Sequence, residues 1–400
     1  MRIGDTRELT IEKIVSKGEA LARDGSDVWF VPRALEKERV VVRLVSQKKN
    51  IFRGELVEVL QASEFRKTPF CPYYEVCGGC DMQHIDHTRQ VKVKEEIVLE
   101  NLRRIGKIET DEQTRTFEYL GAHVDKIEHY RKKVRFQVDP VGLKIGFLSK
   151  KSHSVVDLGS CPILSSSLQS LLQDKRELLL SQALRETDRF GKDFVTVAAV
   201  EGDDNLISLG EQIVPVTCGE KILYVNSSVF FQAHQGILSH MVSRVRQWAE
   251  GETIIDLYSG IGTFASAVES EKRTVYAIEK DPACLALGKK NLKYSTFFTE
   301  DAQRWVKRFP SQKVGTVIVD PPRGGLTVQV IESIGKIAPQ RLIYISCNSA
   351  TFARDARLFT ERGYSLASLE YLEMYPHTSH TETMALFETQ RPRQYRKNCD

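Results

Sequence analysis

Four cysteines are spaced like the ligands of a metal centre. Three of them fall within the ten residues CPYYEVCGGC and the fourth stands much later in LGSCPIL; they are Cys71, Cys77, Cys80 and Cys161. The paired glycines of the first segment allow a tight turn that can direct neighbouring thiolates to one centre. Four thiolates suit a [4Fe–4S] cluster or a tetrahedral zinc ion, and a triplet with one remote cysteine favours the cluster. Unrelated buried thiols are the plain alternative.

A second group of residues has the pattern of a cofactor site. The segment DLYSGIG contains Tyr258 and Gly260, with Thr263 just beyond it, and its glycines let the backbone turn closely past a ligand after a strand. The next strand candidate ends with Glu279, where an acid can accept hydrogen bonds from ribose hydroxyls. This pattern fits a nicotinamide cofactor as well as S-adenosyl-L-methionine. A simple strand-to-helix turn would also explain the glycines.

Two later aspartates separate the two cofactors. Asp301 follows the third strand candidate, where an adenine amine would lie, and Asp320 stands in VIVDPPRGGL at the tip of the fourth. Asp-Pro-Pro at a strand end is common in methyltransferases that act on nucleic acid, so S-adenosylmethionine is favoured. A helix cap or a turn residue is the alternative role for Asp320.

These motifs carry a family resemblance. CPYYEVCGGCDMQH with the remote Cys161 closely resembles the bacterial RNA 5-methyluridine methyltransferases that hold a [4Fe–4S] cluster, and SCN followed by HTETM resembles the signature of uracil-5 methyltransferases. The resemblance covers nearly the whole chain. It implies an RNA-binding TRAM barrel before the cysteines, a cluster that supports the fold and RNA binding, and Gln232 of FFQAHQG against the methionine part of the cofactor. It also implies 23S rRNA as the substrate, with a tRNA uridine as the alternative.

Cys347 and Glu382 have the chemistry that methylation of a uracil carbon requires. Carbon 5 of uracil is a poor nucleophile, and addition of a thiolate to carbon 6 gives an enolate-like ring that can take a methyl group. A base must then remove the carbon 5 proton so that the thiolate leaves. Cys347 follows a strand candidate at the edge that also holds Asp320, and Glu382 begins the last strand. The resemblance favours Glu382 as the base over His377 and His380, although a generic strand-end cysteine and a solvated surface acid remain the plain alternatives.

The RNA must also be held while its target base is flipped or already unpaired. Arg323 and the basic segment YRKKVRF are candidates to bind phosphates, and Tyr130 and Phe136 are candidates to stack on bases. The two aromatic residues fit the protein core equally well.

Hydrophobic periodicity predicts the elements that position these residues. Short apolar runs between residues 8 and 60, broken by glycine and proline, predict a small β-barrel decorated by basic side chains. A helix is predicted over Val91–Ile105, and strands with one helix near Ser166–Arg185 over about 115–230. From residue 237 strands and helices alternate, which predicts a doubly wound sheet, and the chain ends in an antiparallel pair.

We therefore predict a multidomain α/β protein with an N-terminal OB-like barrel, a central mainly β iron–sulfur domain and a C-terminal Rossmann-like class I methyltransferase domain. The predicted boundaries are 1–61, 62–230 and 231–400, and a helix over 88–105 is a candidate to pack on the catalytic domain. The length of 400 residues agrees with more than one core.

Composition restricts the partners and the compartment. A net charge of +4 permits an RNA partner without requiring one, and no run of apolar residues is long enough to cross a membrane. The charged N-terminus lacks the pattern of a secretion signal, which predicts the cytoplasm and reduced thiols. Basic residues cluster between Arg39 and Arg53, in YRKKVRF, and at Arg391–Lys397. No obligate protein partner is inferred.

Three other classes of protein share some of these features. An adenine or guanine amino-methyltransferase would use Asp-Pro-Pro but needs no thiolate, so Cys347→Ala would leave it active. A radical S-adenosylmethionine enzyme typically has C-x3-C-x2-C, whereas this chain has C-x5-C-x2-C and a fourth cysteine. A non-catalytic RNA-binding or assembly protein would have no need to keep both Cys347 and Glu382.

Overall fold

The computed structural model describes residues 1–150, 152, 154–190 and 194–389. No helix within these ranges is both long enough and apolar enough to span a membrane. The basic cluster at residues 391–397 lies outside the described residues.

Five strands at the N-terminus close into a small barrel. They are β1 (Thr6–Val15), β2 (Glu19–Asp24), β3 (Asp27–Pro32), β4 (Arg39–Lys48) and β5 (Ile51–Gln61). Their order is β1-β2-β3-β5-β4, and β1 pairs with β4 to close the barrel. Alternating side chains point inward, so Trp29, Val31, Val40 and Val42 form the core. The predicted barrel is confirmed.

A segment with neither helix nor strand, which holds the first three cysteines, connects the barrel to α1 (His87–Asn101). Asp86 begins this helix by accepting a hydrogen bond from the backbone amide of Thr88 at 3.1 Å. The helix ends in a π-helical turn over Leu102–Gly106, and β6 (Glu118–His123) follows. The predicted helix over Val91–Ile105 is therefore present and begins four residues earlier.

The middle of the chain forms an antiparallel sheet with two helices. Its elements are β7 (Lys133–Asp139), β8 (Lys144–Leu148), β9 (Val155–Asp157), α2 (Ser166–Asp174), α3 (Arg176–Phe190), β10 (Val195–Glu201) and β11 (Ile207–Leu209). The sheet order is β11-β10-β7-β8-β9. Phe136, Leu168 and Leu172 are fully buried between the sheet and the helices. The single helix predicted near Ser166–Arg185 is two helices, because the backbone of Lys175 leaves the helical region.

The last part of the chain forms the largest sheet. Its elements are β12 (Val214–Cys218), β13 (Lys221–Val225), α4 (Gln235–Trp248), β14 (Thr253–Leu257), α5 (Thr263–Val268), β15 (Thr274–Glu279), α6 (Cys284–Asn291), β16 (Ser295–Thr299), α7 (Ala302–Lys307), β17 (Thr316–Val319), α8 (Val328–Ile337), β18 (Arg341–Ser346), α9 (Ser349–Thr360), β19 (Tyr364–Leu372) and β20 (Glu382–Thr389). Strands β12 and β13 pair with each other, and the eight-stranded sheet has the order β16-β15-β14-β17-β18-β20-β19-β6.

Five parallel strands give this sheet its binding edge. Strands β16, β15, β14, β17 and β18 run parallel, and β20 and β19 complete an antiparallel end. The order of the strands reverses between β14 and β17, and open α/β sheets bind ligands at the carboxyl ends of the strands beside such a reversal. The predicted Rossmann-like sheet and its final antiparallel pair are confirmed.

Sheet membership does not follow the predicted domain boundary at residue 230. Strand β6 pairs in parallel with β19 of the catalytic sheet, and α1 packs against α9. Strand β6 and helix α1 both lie within the predicted domain range 62–230. The part of the chain from His87 to His123 therefore belongs structurally to the catalytic layer, and the exact domain limits stay a prediction.

Candidate active site

A single cavity of about 1170 Å³ joins the two groups of residues that the sequence points to. It runs along the carboxyl edge of the parallel strands to the cysteine segment. Its lining includes the four clustered cysteines and seven other predicted site residues: Gln232, Tyr258, Gly260, Glu279, Asp320, Cys347 and Glu382. Ligand pockets usually enclose about 300–1,000 Å³, so this cavity has room for more than one small group.

The glycine-rich turn after β14 is held in an unusual backbone conformation. Tyr258, Gly260 and Gly262 have φ values of 63°, 54° and 85°, a region that favours glycine and is uncommon for tyrosine. Such conformations concentrate at functional sites, where the surrounding structure holds them. The amides of Gly260 and Asp281 donate to the two carboxylate oxygens of Glu279 at 3.1 and 2.8 Å. The acid is thereby fixed at the mouth of the turn.

Three further predicted cofactor residues lie in different surroundings. Gln232 is buried in the cavity wall, and its side-chain oxygen has no hydrogen-bond partner in the described part of the chain. Thr263 is the first residue of α5 and does not line the cavity. Asp301 caps α7 by accepting a hydrogen bond from the backbone amide of Arg304 at 3.2 Å, and it also does not line the cavity. The structure therefore brings Gln232 into the cavity and leaves Thr263 and Asp301 outside its lining.

Cys347 lies one residue beyond β18, as predicted, and the residues around it fix the loop that follows β17. Asn348 caps α9 by accepting from the amide of Ala350 at 3.1 Å and donates to the carbonyl of Arg323 at 3.1 Å. Burial and the nearby carboxyl groups of Glu382 and Asp320 together raise the pKa of Cys347 to about 11, although Arg323 opposes the increase. The environment of the ligand-free protein thus keeps this thiol protonated.

Glu382 and Asp320 form a buried pair of acids beside this thiol. Glu382 is the first residue of β20, is 1% exposed, and neither of its carboxylate oxygens has a partner within the described residues. Burial raises its pKa well above the usual range, and the charge of Asp320 adds to the effect. Burial also raises the pKa of Asp320 to about 7. Two like charges in one apolar site are unfavourable, so at least one of these acids holds a proton near neutral pH.

The two histidines that compete with Glu382 differ in their surroundings. His377 is buried, and its ring nitrogens contact the Gln90 side chain at 3.3 Å and the carbonyl of Ile127 at 3.1 Å. It does not line the cavity, and burial lowers its pKa to about 4. His380 lines the cavity and contacts the guanidinium of Arg323 at 2.8 Å, so only this histidine faces the site.

The four clustered cysteines line the other end of the cavity. Cys77 and Cys161 are buried, and Cys71 and Cys80 are partly exposed. Burial raises the pKa of Cys80 to about 12, and its neighbour Cys161 contributes to the increase. The turn between the cysteines requires a glycine at residue 78, because a Cβ there would come within 2.8 Å of the carbonyl oxygen of Leu148. The set is therefore brought together by the cysteine segment and the loop after β9.

The basic wall of the cavity agrees with the sequence analysis, and the two aromatic candidates for stacking lie in the core, the alternative role given for them. Arg323 and three members of YRKKVRF, namely Arg131, Lys133 and Arg135, line the cavity. Tyr130 and Phe136 are 3% and 0% exposed and pack against His234 and Phe147, so their faces are covered. Strand alternation turns Phe136 inward, so of the two roles considered for these residues the structure supports the core.

Sequence reasoning also missed an aromatic residue at the cavity. Phe230 lines it and is 65% exposed, which is unusual for a large apolar side chain. Its position beside Gln232 in FFQAHQG was the available signal.

Comparison with known proteins extends from the catalytic sheet to the whole chain. Residues 306–390 match the model of the tRNA (uracil-5-)-methyltransferase family, and residues 225–300 match the TRM5/TYW2 methyltransferase domain. The 23S rRNA (uracil(1939)-C(5))-methyltransferase RlmD of Vibrio parahaemolyticus is 28% identical, over 94% of this chain and 95% of that protein. The protein of the same name from Aliivibrio fischeri strain ES114 is 29% identical over 96% of each chain.

A solved structure shares the complete fold. The crystal structure of Pyrococcus abyssi tRNA (uracil-54, C5)-methyltransferase in complex with S-adenosyl-L-homocysteine superposes with a TM-score of 0.73 at 20% identity. The superposition covers 95% of this chain and 99% of that protein. The barrel and the Rossmann-like sheet are thus arranged as in that enzyme.

The Rossmann-like sheet, its glycine-rich turn and the fixed acid that follows, taken with the Asp-Pro-Pro segment at the end of β17, fit an S-adenosylmethionine-dependent methyltransferase. The family model, the relatives that match over nearly the whole chain and the shared fold then narrow the class. The chain is an RNA (uracil-5-)-methyltransferase that uses S-adenosylmethionine, and it is similar over nearly its whole length to members of the RNA 5-methyluridine methyltransferase family.

Proposed function

We propose that this chain methylates carbon 5 of a specific uridine in 23S rRNA, with Cys347 as the nucleophile and Glu382 as the general base. The observation that carries the proposal is the buried carboxyl of Glu382, which has no hydrogen-bond partner among the described residues. Buried polar groups are nearly always paired, because an unpaired one costs free energy. An unpaired acid beside a thiol in a cavity is therefore available to a substrate.

The choice of RNA rests on the relatives that match over nearly the full length. Two of them bear the name of a 23S rRNA uracil methyltransferase. A tRNA uridine is the second candidate, because the matching family model and the P. abyssi enzyme are named for tRNA. Both substrates present the same uracil carbon, so the mechanism is common to the two.

The cofactor site is assigned to the turn after β14 and the wall that faces it. Bound S-adenosylmethionine supplies an electrophilic methyl group. Glu279, fixed by two backbone amides, is placed to accept from ribose hydroxyls, and the unpaired oxygen of Gln232 is placed to accept from the ammonium of the methionine part. Tyr258 and Gly260 line the cavity at this turn. Thr263 and Asp301, which do not line the cavity, stay candidates from the sequence alone.

The buried acids and the thiol can perform the proton transfers of the reaction. The thiol of Cys347 is protonated before substrate binds, so its addition to carbon 6 needs a proton acceptor; the nearby carboxylate of Asp320 takes that proton and leaves Glu382 for the later step. After carbon 5 has gained the methyl group, Glu382 takes the carbon 5 proton. The electron pair of that bond re-forms the ring double bond, and the thiolate of Cys347 leaves carbon 6.

We assign Cys71, Cys77, Cys80 and Cys161 to a [4Fe–4S] cluster. Sulfur atoms around one zinc ion lie about 3.8 Å apart, because each Zn–S bond is about 2.3 Å. No three of these sulfurs lie within 4.8 Å of one another in the described structure, which favours a larger centre. Burial raises the pKa of the Cys161 and Cys77 thiols, and the nearby cations of Arg131 and Lys150 oppose the increase, as cations near an anionic centre should.

The cluster assignment is tested by metal analysis of protein purified without oxygen. About four iron and four sulfide per chain are expected, with loss of both in Cys161→Ser. Cys218→Ser is the matched control, because Cys218 is equally buried but lies in β12 away from the cavity. One zinc per chain without sulfide would contradict the assignment.

The catalytic assignment is tested with labelled S-adenosylmethionine and unmodified 23S rRNA and tRNA transcripts. Wild-type protein should form 5-methyluridine in 23S rRNA, and Cys347→Ala should form none. Label in tRNA alone would favour the second candidate. Label on an adenine or guanine nitrogen, or activity that survives loss of the thiol, would contradict the covalent route.

A further inference from the structure

The residue that follows the cysteine triplet is bonded to the loop that carries the proposed base. Both carboxylate oxygens of Asp81 accept from Ser379, one from its amide and one from its hydroxyl, each at 2.7 Å. Ser379 stands three residues before Glu382 in the loop between β19 and β20. The contact joins residues that are 298 positions apart in sequence.

The backbone strengthens the same junction. The amides of Asp81 and Met82 both donate to the carbonyl of His377, at 3.1 and 3.0 Å. His377 has a φ of 65°, which a non-glycine residue adopts only where its surroundings hold it. Its amide in turn donates to the side chain of Gln90 at 3.0 Å. Asp81 and Met82 therefore share four hydrogen bonds with His377 and Ser379, and these bonds fix the loop between those two residues.

The barrel closes the junction from a third side. A Cβ at Gly18 would meet the Cβ of Ser379 at 3.0 Å, so the loop has little room to move toward β1 and β2. Within the same loop, Thr378 and His380 line the cavity beside Glu382. Ser379 therefore lies between two residues of the cavity wall and is packed against the barrel on another side.

We propose that Asp81 is a positioning residue that holds the Ser379 loop, and through it the carboxyl of Glu382, in the place where the carbon 5 proton is removed. The inference rests on the proposed role of Glu382 as the base. Asp81 itself transfers no proton, because both of its oxygens are occupied by Ser379. A displaced base slows proton removal more than the earlier steps, so the covalent adduct between Cys347 and the methylated ring should accumulate.

The test mixes full-length variants with unmodified 23S rRNA transcript and S-adenosylmethionine, and measures kcat, KM for RNA and the fraction of enzyme that stays bound to RNA on a denaturing gel. Asp81→Leu should lower kcat by about 10- to 100-fold, the range of a base displaced by about 1 Å, with KM within about threefold. The adduct fraction should rise above that of wild type. Asp81→Asn can accept from the amide and donate to the hydroxyl of Ser379, so it should restore most of kcat and abolish the excess adduct.

Two control variants distinguish a loss of positioning from a general loss of stability. Asp86→Ala removes the cap of α1 on the same segment and should lower stability without raising the adduct fraction. Ser379→Ala removes one of the two side-chain contacts and should fall between wild type and Asp81→Leu, which keeps a test available if Asp81→Leu does not fold.

Glu382→Gln separates failure of this inference from failure of the proposed function. If Glu382→Gln accumulates the adduct and Asp81→Leu does not, Asp81 acts elsewhere and the positioning role is wrong. If Glu382→Gln gives no adduct although wild type makes 5-methyluridine, the base has been assigned wrongly, and the inference is overturned with it.

Discussion

Glu373 and Glu382 are two buried carboxyl groups at the ends of neighbouring strands, and they are treated in opposite ways. Glu373 is 0% exposed; it pairs with the ammonium of Lys94 at 2.7 Å and accepts from the hydroxyl of Tyr371. Burial alone would raise its pKa, but Lys94, His87 and Tyr371 together lower it to about 2. Glu382 is equally buried and has none of these partners in the described structure.

The two acids differ in role: Glu373 stabilises the fold, whereas Glu382 is available for proton transfer. A paired buried acid keeps its charge and ties α1 to the end of β19, because Lys94 belongs to α1. An unpaired buried acid loses its charge easily and is ready to exchange a proton with a ligand. Variants that remove or exchange partners should therefore affect stability at one site and turnover at the other.

The largest effect is expected for Glu382→Gln. Loss of a general base typically costs about 10²- to 10⁴-fold in rate, and we expect kcat to fall within that range. The free energy of unfolding of the ligand-free protein should stay within about 0.5 kcal/mol of wild type or increase, because no hydrogen bond is lost and a buried acid is removed. Turnover assays and urea unfolding measure the two quantities on the same preparation.

A large loss of unfolding free energy in Glu382→Gln would contradict the difference between the two acids, since it would mean that Glu382 also stabilises the fold.

The next effect is expected for Lys94→Met. The change leaves the Glu373 carboxylate buried without its cation, and breaking such a pair typically costs about 3–5 kcal/mol of unfolding free energy. Urea unfolding measures it. The double variant Lys94→Met/Glu373→Gln removes the stranded charge and should recover more than half of the loss. Equal losses in the single and double variants would show that the charge pair is not what stabilises this site.

The pH dependence of stability should have opposite signs at the two sites. The pKa of Glu373 is lowered in the folded state, so its contribution to stability is present above pH 4.5 and is lost as pH falls toward 2. The pKa of Asp320 is raised to about 7 and that of Glu382 well above its usual range, so the stability that these two acids contribute is fully present below about pH 4 and is lost as pH rises through their raised pKa values. Urea unfolding between pH 5 and pH 8 should therefore show a smaller decline in Glu382→Gln than in wild type.

Turnover should rise over the same interval, because the base accepts a proton only as a carboxylate. An unchanged unfolding slope in Glu382→Gln would contradict the assignment of this pH dependence to the buried pair.

The smallest effects are expected when the comparison is extended to cations. Arg53 on the barrel pairs with Glu19, whereas Arg135 lines the cavity and no carboxylate of the described residues pairs with it. Arg135→Ala should weaken RNA binding a few-fold and lower the slope of log affinity against log salt by about 1. Arg53→Ala should change the RNA affinity and the salt slope much less. Filter binding between 50 and 200 mM salt measures the slopes, and a reversed order would place the phosphate contacts on the barrel.

The sequence predicts residues whose position follows from strand ends. Gly260, Asp320 and Cys347 each follow a parallel strand, and such residues must share one edge of a sheet, so their meeting in one cavity could be predicted. The barrel, the Rossmann-like order and the final antiparallel pair were predictable for the same reason, because short-range periodicity specifies them.

Contacts between distant segments were not predictable. The bond between Asp81 and Ser379 joins loops 298 residues apart, and nothing in either local pattern indicates it. The pairing of β6 with β19 also escaped prediction, because a six-residue strand carries no signal for its partner. The roles of Cys347, Glu382 and the four clustered cysteines remain predictions that chemistry must test.

Mass spectrometry of Glu382→Gln, denatured after incubation with 23S rRNA transcript and S-adenosylmethionine, tests the account most directly. We predict a peptide containing Cys347 that carries a methylated uridine adduct, because thiol addition and methyl transfer proceed while removal of the carbon 5 proton does not. Normal release of 5-methyluridine by this variant, or an adduct on another cysteine, would contradict it.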